Sequence, residues 1–308
     1  MPYYHSSGVK LHYVCRGPAP ADRSHPVIIF QHGIGGDVGQ PARFLDPKRT
    51  GIAKEAVSIV HADFRGHGQS ELGPAEELSI ATLARDLEAL LDHLDIRQAV
   101  VGGISMGAAV ALRFAVHRPD ACVALILSRP AWADGSMSLQ ARQALILAAT
   151  LLAEEDWRCS AAEALERSHI LQTIDDVCSE AARSIRGQIQ RVLNCPESRE
   201  SVIACLRRLP LARGLEDPEH DPARVRCPAL ILAAEGDPFH PFGYARRIAQ
   251  YLPNCEFAQI APKSARNETG HMEEVDRKIG DFLRCELAWQ ASAGVLPSAK
   301  YIELERKA

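Results

Sequence analysis

The sequence predicts an α/β protein: a mostly parallel central sheet, helices on both faces, and one all-helical insertion. Three observations predict it. Short apolar runs alternate with helix-period segments along most of the chain. These runs lack polar alternation, as expected of strands buried on both faces. Between about Trp132 and Leu215 the strand-like runs stop.

Taken in order, Val9 to Cys15 reads as an edge strand or hairpin arm. Pro26 to Gln31 reads as a buried strand stopping at His32-Gly33, and Ala56 to Ala62 as another, stopping at Asp63. Ser79 caps a helix whose Ile80, Leu83, Leu87, Leu90, Leu91 and Leu94 recur at helical spacing. Gln98 to Gly102 is a strand, Ala108 to Ala115 a helix, and Cys122 to Ser128 a strand. Within the insertion, Leu139 to Ala153 is helical. Ser160-Ala161-Ala162-Glu163 reads as a capping box opening a second helix. Asp176 to Leu193 and Arg199 to Leu209 give two more. Then come a strand over Ala229 to Ala234, a helix over Tyr244 to Leu252, a last strand over Cys255 to Ile260 and a closing helix over Glu273 to Leu287. The expected domains are a core over 1–131 and 216–290, a helical cap over 132–215, and a short tail over 291–308 of mixed charge and no assigned role.

A chain of 308 residues suits one such core with an insertion. The net charge of −4 gives no reason to expect nucleic acid or an anionic membrane surface. Nine cysteines, with no C-x-x-C pair and with Cys122, Cys227 and Cys255 in apolar runs, read as reduced thiols of a cytoplasmic protein. Met1-Pro2-Tyr3-Tyr4-His5 carries no signal-peptide pattern, and no apolar run approaches membrane-spanning length. There is no H-E-x-x-H, and His61 to His67 lacks the close pairing of a dinuclear site. No G-x-G-x-x-G follows a strand. Neither metal nor nucleotide cofactor is expected.

Gly103-Ile104-Ser105-Met106-Gly107 reads G-x-S-x-G between a strand and a helix. A turn that sharp needs a strained centre and no crowding side chains, hence the flanking glycines. Ser105 is the candidate nucleophile. A serine hydroxyl needs a base, and the base an orienting acid. In a parallel sheet, reactive groups collect beyond the carboxyl ends of the strands. Asp237 follows the strand ending at Ala234, and His271 stands in the expected loop before the closing helix.

Four motifs in this order carry a resemblance: His32-Gly33-Ile34-Gly35-Gly36, Asp63 to Ser70 (D-F-R-G-H-G-Q-S), Gly103 to Gly107, and Gly270-His271. From about Tyr3 to Leu287 the chain resembles the α/β-hydrolase fold superfamily, and within it serine hydrolases with a helical cap. The resemblance implies Ser105 as nucleophile, His271 as general base and acid, and Asp237 as the partner that orients His271. It implies an oxyanion hole from the backbone N–H groups of Ile34 and Met106. His32, His67 and Asp63 resemble loop-shaping residues, Asp63 holding its turn with Arg65. Trp132, where the chain enters the cap, and His240, three residues after Asp237, are expected to line the substrate pocket. Arg142 and Arg191 are expected on solvated cap faces.

The expected function is hydrolysis of a small, fairly apolar carboxylic ester or lactone through an acyl-enzyme, without a cofactor. Rival readings are C–C bond hydrolysis of a ring-fission diketone, acyl transfer, and a receptor-like member without activity. The expected partner is a small-molecule substrate, not nucleic acid or membrane. The sequence does not decide between a monomer and a homodimer. Similar dehalogenases and epoxide hydrolases place Asp where this chain has Ser105. Substrate choice is expected to reside in the cap.

Overall fold

In the computed structural model the described residues are 2–133, 135–215, 221–264 and 267–292. Asp134, residues 216–220 at the second cap boundary and residues 293–308 of the tail lie outside them.

Eight strands form one sheet: β1 (Tyr3–Ser6), β2 (Val9–Arg16), β3 (Val27–Gln31), β4 (Ser58–Ala62), β5 (Ala99–Ile104), β6 (Cys122–Ser128), β7 (Ala229–Ala233) and β8 (Cys255–Gln259). Their spatial order is β1-β2-β4-β3-β5-β6-β7-β8. β2 pairs antiparallel with β1 and β4, and every other pairing is parallel. β3 to β7 are buried at every residue, as their unbroken apolar runs require. Edge strand β8 is only partly covered: Ala258 is buried, while Glu256 and Gln259 are exposed.

The described residues also hold ten α-helices: α1 (Pro47–Thr50), α2 (Ile80–His93), α3 (Met106–His117), α4 (Leu139–Ala153), α5 (Trp157–Glu166), α6 (His169–Val177), α7 (Ser179–Asn194), α8 (Arg199–Arg208), α9 (Phe242–Tyr251) and α10 (Glu268–Ser292). One face of the sheet packs on α2 and α3 through residues such as Leu83, Leu87, Val110 and Phe114. The other packs on α10 through Val275, Ile279 and Leu283. Helices α4 to α8 all fall between β6 and β7.

Four expectations need correction. The hairpin strand β1 was missed: four residues with two tyrosines and no apolar run carry little strand signal. Ser160 does not open a helix. α5 begins after Asp156, and Ser160 sits inside it with Oγ donating to the Asp156 carbonyl at 3.2 Å. The stretch from Asp176 to Leu193 is not one helix. The chain breaks at extended Cys178, between α6 and α7. The closing helix starts at Glu268, five residues earlier than expected, so His271 lies in its first turn rather than in a loop.

Candidate active site

The sheet register sets the site. Gln31 of β3 lies opposite Gly103 of β5, and Ile104 of β5 opposite Ser128 of β6. Ser105 is therefore the first residue beyond the carboxyl end of β5, flanked by the chain leaving β3 at His32 and β6 at Arg129. Its backbone has φ 57° and ψ −108°, and it caps α3. Such a conformation costs a non-glycine residue about 1–3 kcal/mol and persists only where surroundings impose it. Here the Ser105 N–H donates to the Ser128 carbonyl at 2.9 Å. A Cβ on Gly107 would stand 2.5 Å from the Gln31 carbonyl oxygen, and one on Gly103 2.6 Å from the Gly107 carbonyl carbon. Backbone crowding on both sides of the serine thus dictates the two glycines. Ser105 is 7% exposed.

The loop after β3 lies against the nucleophile: a Cβ on Gly33 would sit 3.2 Å from the Ser105 Cβ. His32 Nδ1 donates to the Gly33 carbonyl at 2.8 Å, and its Nε2 accepts from the Phe64 N–H at 3.0 Å. Burial, then the neighbouring His67, hold this imidazole well below its usual pKa. It is a neutral brace with both nitrogens in use. The Gly33 N–H donates to Gln40 Oε1 at 2.7 Å. Among the described residues no acceptor takes the N–H of Ile34 or Met106. Met106 opens α3 and so has no intrahelical acceptor. Two free donors therefore flank Ser105, as an oxyanion hole requires.

The loop after β4 is a scaffold. Asp63 accepts from His12 Nδ1 at 2.7 Å, from the Val38 N–H at 2.7 Å and from the Gln69 N–H at 2.9 Å, tying three segments together. Arg65 does not pair with Asp63: its buried guanidinium grips Asp86 of α2 at 2.6 and 2.8 Å. This corrects the expected turn; α2 supplies the counter-charge.

Asp237 lies beyond the end of β7, where expected, but its partner differs. Its Oδ2 accepts from His240 Nδ1 at 2.7 Å, and its Oδ1 from the N–H groups of Phe239 at 2.9 Å and His240 at 3.3 Å. Arg129 Nη1 stands 3.8 Å from Oδ2. Burial pushes this carboxyl up, but His240, Arg129 and the Phe239 N–H outweigh it and hold the pKa well below the usual range. His271 makes no hydrogen bond to Asp237. Its Nδ1 donates to the Ala261 carbonyl at 2.8 Å, and its ring is 1% exposed. Burial first, then Arg129, lower its pKa. The expected Asp237–His271 pair is therefore absent. α10 begins early and turns the ring back toward β8, as side chains in a first helical turn do.

The cap closes over these loops through α7. Glu180, near its start, stands 3.7 Å from Lys263, beyond β8. Gln188 packs on the loop after β3, its amide lying 2.2–2.6 Å from where a Cβ on Gly35 would stand. Arg191 joins Gly35, His67, Gln188 and Cys205 around a cavity with room for about one water. Arg191 thus faces inward, not onto a solvated surface. Trp132 lies where the chain enters the cap. It is 1% exposed, packs in the main core, and donates its ring N–H to the Ala212 carbonyl at 3.0 Å, stitching the two cap junctions together. Among the described residues, no three His, Cys, Asp or Glu side chains converge as a metal would require, and no helix is long and apolar enough to cross a membrane.

Comparisons with known proteins agree with this architecture. The chain is similar to the dihydrolipoyllysine-residue acetyltransferase component of the acetoin cleaving system of Pseudomonas putida, 28% identical over 270 residues. That match covers 83% of this chain and 63% of the relative, so the chain spans less than two thirds of it. It is 31% identical over 153 residues to 3-oxoadipate enol-lactonase 2 of Acinetobacter baylyi, covering 47% of this chain and 54% of the relative. The crystal structure of the enol-lactonase from Burkholderia xenovorans LB400 matches with a TM-score of 0.65 at 20% identity, over 92% of this chain and 99% of that one, a likeness of fold. The family model described as alpha/beta hydrolase fold matches residues 26–267. With the strained serine, the crowded glycines and the sheet order in place, the chain belongs to the α/β-hydrolase fold family and is an enzyme of that family.

Proposed function

We propose that this chain is a serine hydrolase that cleaves small, fairly apolar carboxylic esters or lactones through an acyl-enzyme on Ser105. One observation carries the reading. Ser105 is held at φ 57° with the Gly33 loop in contact and with the N–H groups of Ile34 and Met106 unclaimed by any described acceptor. A backbone strained in this way around a hydroxyl and two free donors suits attack on a carbonyl carbon. Ser105 Oγ attacks, and its proton passes to an imidazole at the carboxyl end of the sheet. The Ile34 and Met106 N–H groups bind the oxyanion, each lowering the barrier by about 3 kcal/mol. The imidazole returns the proton to the leaving alcohol, and water then releases the acid by the same steps. The lactone half of the proposal is supported by the names of the two enol-lactonases among the similar proteins.

Fluorophosphonate labelling of the wild type and of Ser105→Ala, beside turnover of graded acyl esters and lactones, tests it. Labelling confined to Ser105 with ester or lactone turnover is expected. An active protein labelled elsewhere, or not at all, overturns it. Product diverted by an added acceptor alcohol would point to acyl transfer instead.

A further inference from the structure

We propose that Cys122 and Cys227 form a peroxide-responsive disulfide that staples together the two roots of the cap. This goes beyond the hydrolase reading and does not depend on it.

Topology brings the pair together. Cys122 is the first residue of β6, the last strand before the cap, and Cys227 stands just ahead of β7, the first strand after it. β6 and β7 are parallel neighbours, registered from Leu125 opposite Ala229. The Leu125 N–H donates to the Pro228 carbonyl at 2.9 Å, so the pairing already holds the residue after Cys227. Helices α4 to α8 all lie in the stretch between the two cysteines.

The sulfurs are in contact. The Cys227 thiol donates to Cys122 Sγ at 3.7 Å, and the Cys122 thiol donates to the Ala124 carbonyl at 3.4 Å. Every cysteine is free, and no other two share a sulfur–sulfur contact among the described residues. A disulfide holds its sulfurs about 2.0 Å apart and its Cα atoms about 4.4–6.8 Å apart. The sulfurs therefore need to close from 3.7 Å by about 1.7 Å. Adjacent strands lie about 4.8 Å apart, within the span of the bond.

The two thiols differ in access. Cys122 is 3% exposed, whereas Cys227 is partly exposed. The hydrogen bond from Cys227, then burial, hold the Cys122 thiol well above its usual pKa. Peroxide therefore meets Cys227 first. The Cys227 sulfur attacks one peroxide oxygen. An S–O bond forms, the O–O bond breaks, and the other oxygen leaves as water with the thiol proton, giving a sulfenic acid. Cys122 Sγ then attacks the Cys227 sulfur. The S–S bond forms, the S–O bond breaks, and hydroxide leaves as a second water with the Cys122 proton. Two sulfurs are oxidised, one hydrogen peroxide is reduced to two waters, and no further reactant is needed.

Placement sets the consequence. Cys122 and Ser128 mark opposite ends of β6, about 20 Å apart, and Ser105 lies beside Ser128. The bond therefore forms at the end of the sheet away from the nucleophile. It joins positions 105 residues apart and closes the whole cap into one ring. The longer such a ring, the more freedom the unfolded chain loses, so the oxidised protein resists unfolding.

Graded hydrogen peroxide on the wild type, Cys122→Ala and Cys227→Ala tests the proposal, read by non-reducing peptide mass mapping after alkylation of the unfolded chain and by melting temperature. In the wild type a peptide pair joined through Cys122 and Cys227 is expected, with a melting temperature raised by at least about 5 °C. Dithiothreitol is expected to reverse both, and neither variant is expected to show either change. Both thiols still free at a peroxide dose that oxidises exposed Cys15 and Cys159 overturns the proposal. So does Cys227 joined to another cysteine or carried on to sulfinic acid, or a Cys122–Cys227 link that leaves the melting temperature level or lower. These wild-type outcomes decide the matter even if a variant fails to fold, and none of them involves Ser105.

Discussion

Acidification is expected to unfold this protein through the histidines beneath its catalytic loops. His61 is 1% exposed; its Nδ1 donates to the Phe30 carbonyl at 2.6 Å and its Nε2 is buried without a partner. His67 donates to the Arg65 carbonyl at 2.9 Å and packs its ring 5.1 Å from that of His32. Burial, the largest influence, pushes each pKa from 6.5 down to about 4. A histidine whose pKa is depressed by folding binds its proton more tightly in the unfolded chain. Its contribution is complete above the unfolded pKa and is lost as the pH falls toward the folded one. A shift of that size corresponds to about 3 kcal/mol for each ring. Two rings approach the whole stability of an ordinary domain, about 5–15 kcal/mol. His32, held well below its usual pKa, acts in the same direction. Urea unfolding followed by circular dichroism at stepped pH gives the slope. Each ring contributes up to about 1.4 kcal/mol per pH unit between pH 6.5 and about 4. His67→Gln, which keeps a donor for the Arg65 carbonyl, is expected to flatten that slope by one proton. A stability that stays level across this window would refute the reasoning.

Three further outcomes are expected. Gly107→Ala forces a Cβ to within 2.5 Å of the Gln31 carbonyl oxygen and is expected to destabilise by about 3 kcal/mol, read by urea unfolding. Ser105→Gly is expected to abolish turnover yet raise stability by about 1 kcal/mol, because glycine adopts the positive φ without strain. Calorimetry checks the sign. Trp132→Phe strands the Ala212 carbonyl and is expected to cost about 1–3 kcal/mol while leaving the order of substrate preference intact. A changed preference in the ester panel would place Trp132 against the substrate.

What the sequence made legible was what backbone chemistry enforces. The G-x-S-x-G turn announced itself because no other residues fit between Gln31 and the start of α3. The unbroken apolar runs announced strands covered on both faces. Asp237 could be found because it follows a strand end in an ordered series. The Asp237–His240 hydrogen bond was not legible, because hydrogen bonding between residues three apart in a loop leaves no periodic signature. The setting of His271 was not legible for a related reason: it turned on where α10 begins, and Glu268-Thr269-Gly270 carries no strong start signal. The Trp132 bond to the Ala212 carbonyl was not legible, because a contact between residues eighty apart leaves no trace in local pattern. The inward face of α7 lay beyond reach for the same reason. Gln188 and Arg191 look like solvated polar residues until the helix is docked.

The way α7 rests on the loop after β3 has a kinetic meaning. The Gln188 amide fills the space beside Gly35, and a Glu180–Lys263 contact of 3.7 Å ties the other end of the helix to the chain beyond β8. An acyl group that needs the space beside Gly35 can take it only as the Gln188 amide moves aside. That latch is a long ion pair, of a kind worth about 0–1 kcal/mol, while buried Ile185, Ile189 and Val192 anchor α7 to the rest of the cap. Discrimination then belongs to re-closure, in what each acyl group gains when the Gln188 side chain settles back over it. Two esters of equal intrinsic reactivity would be told apart by how well they replace Gln188 as the filling of the site.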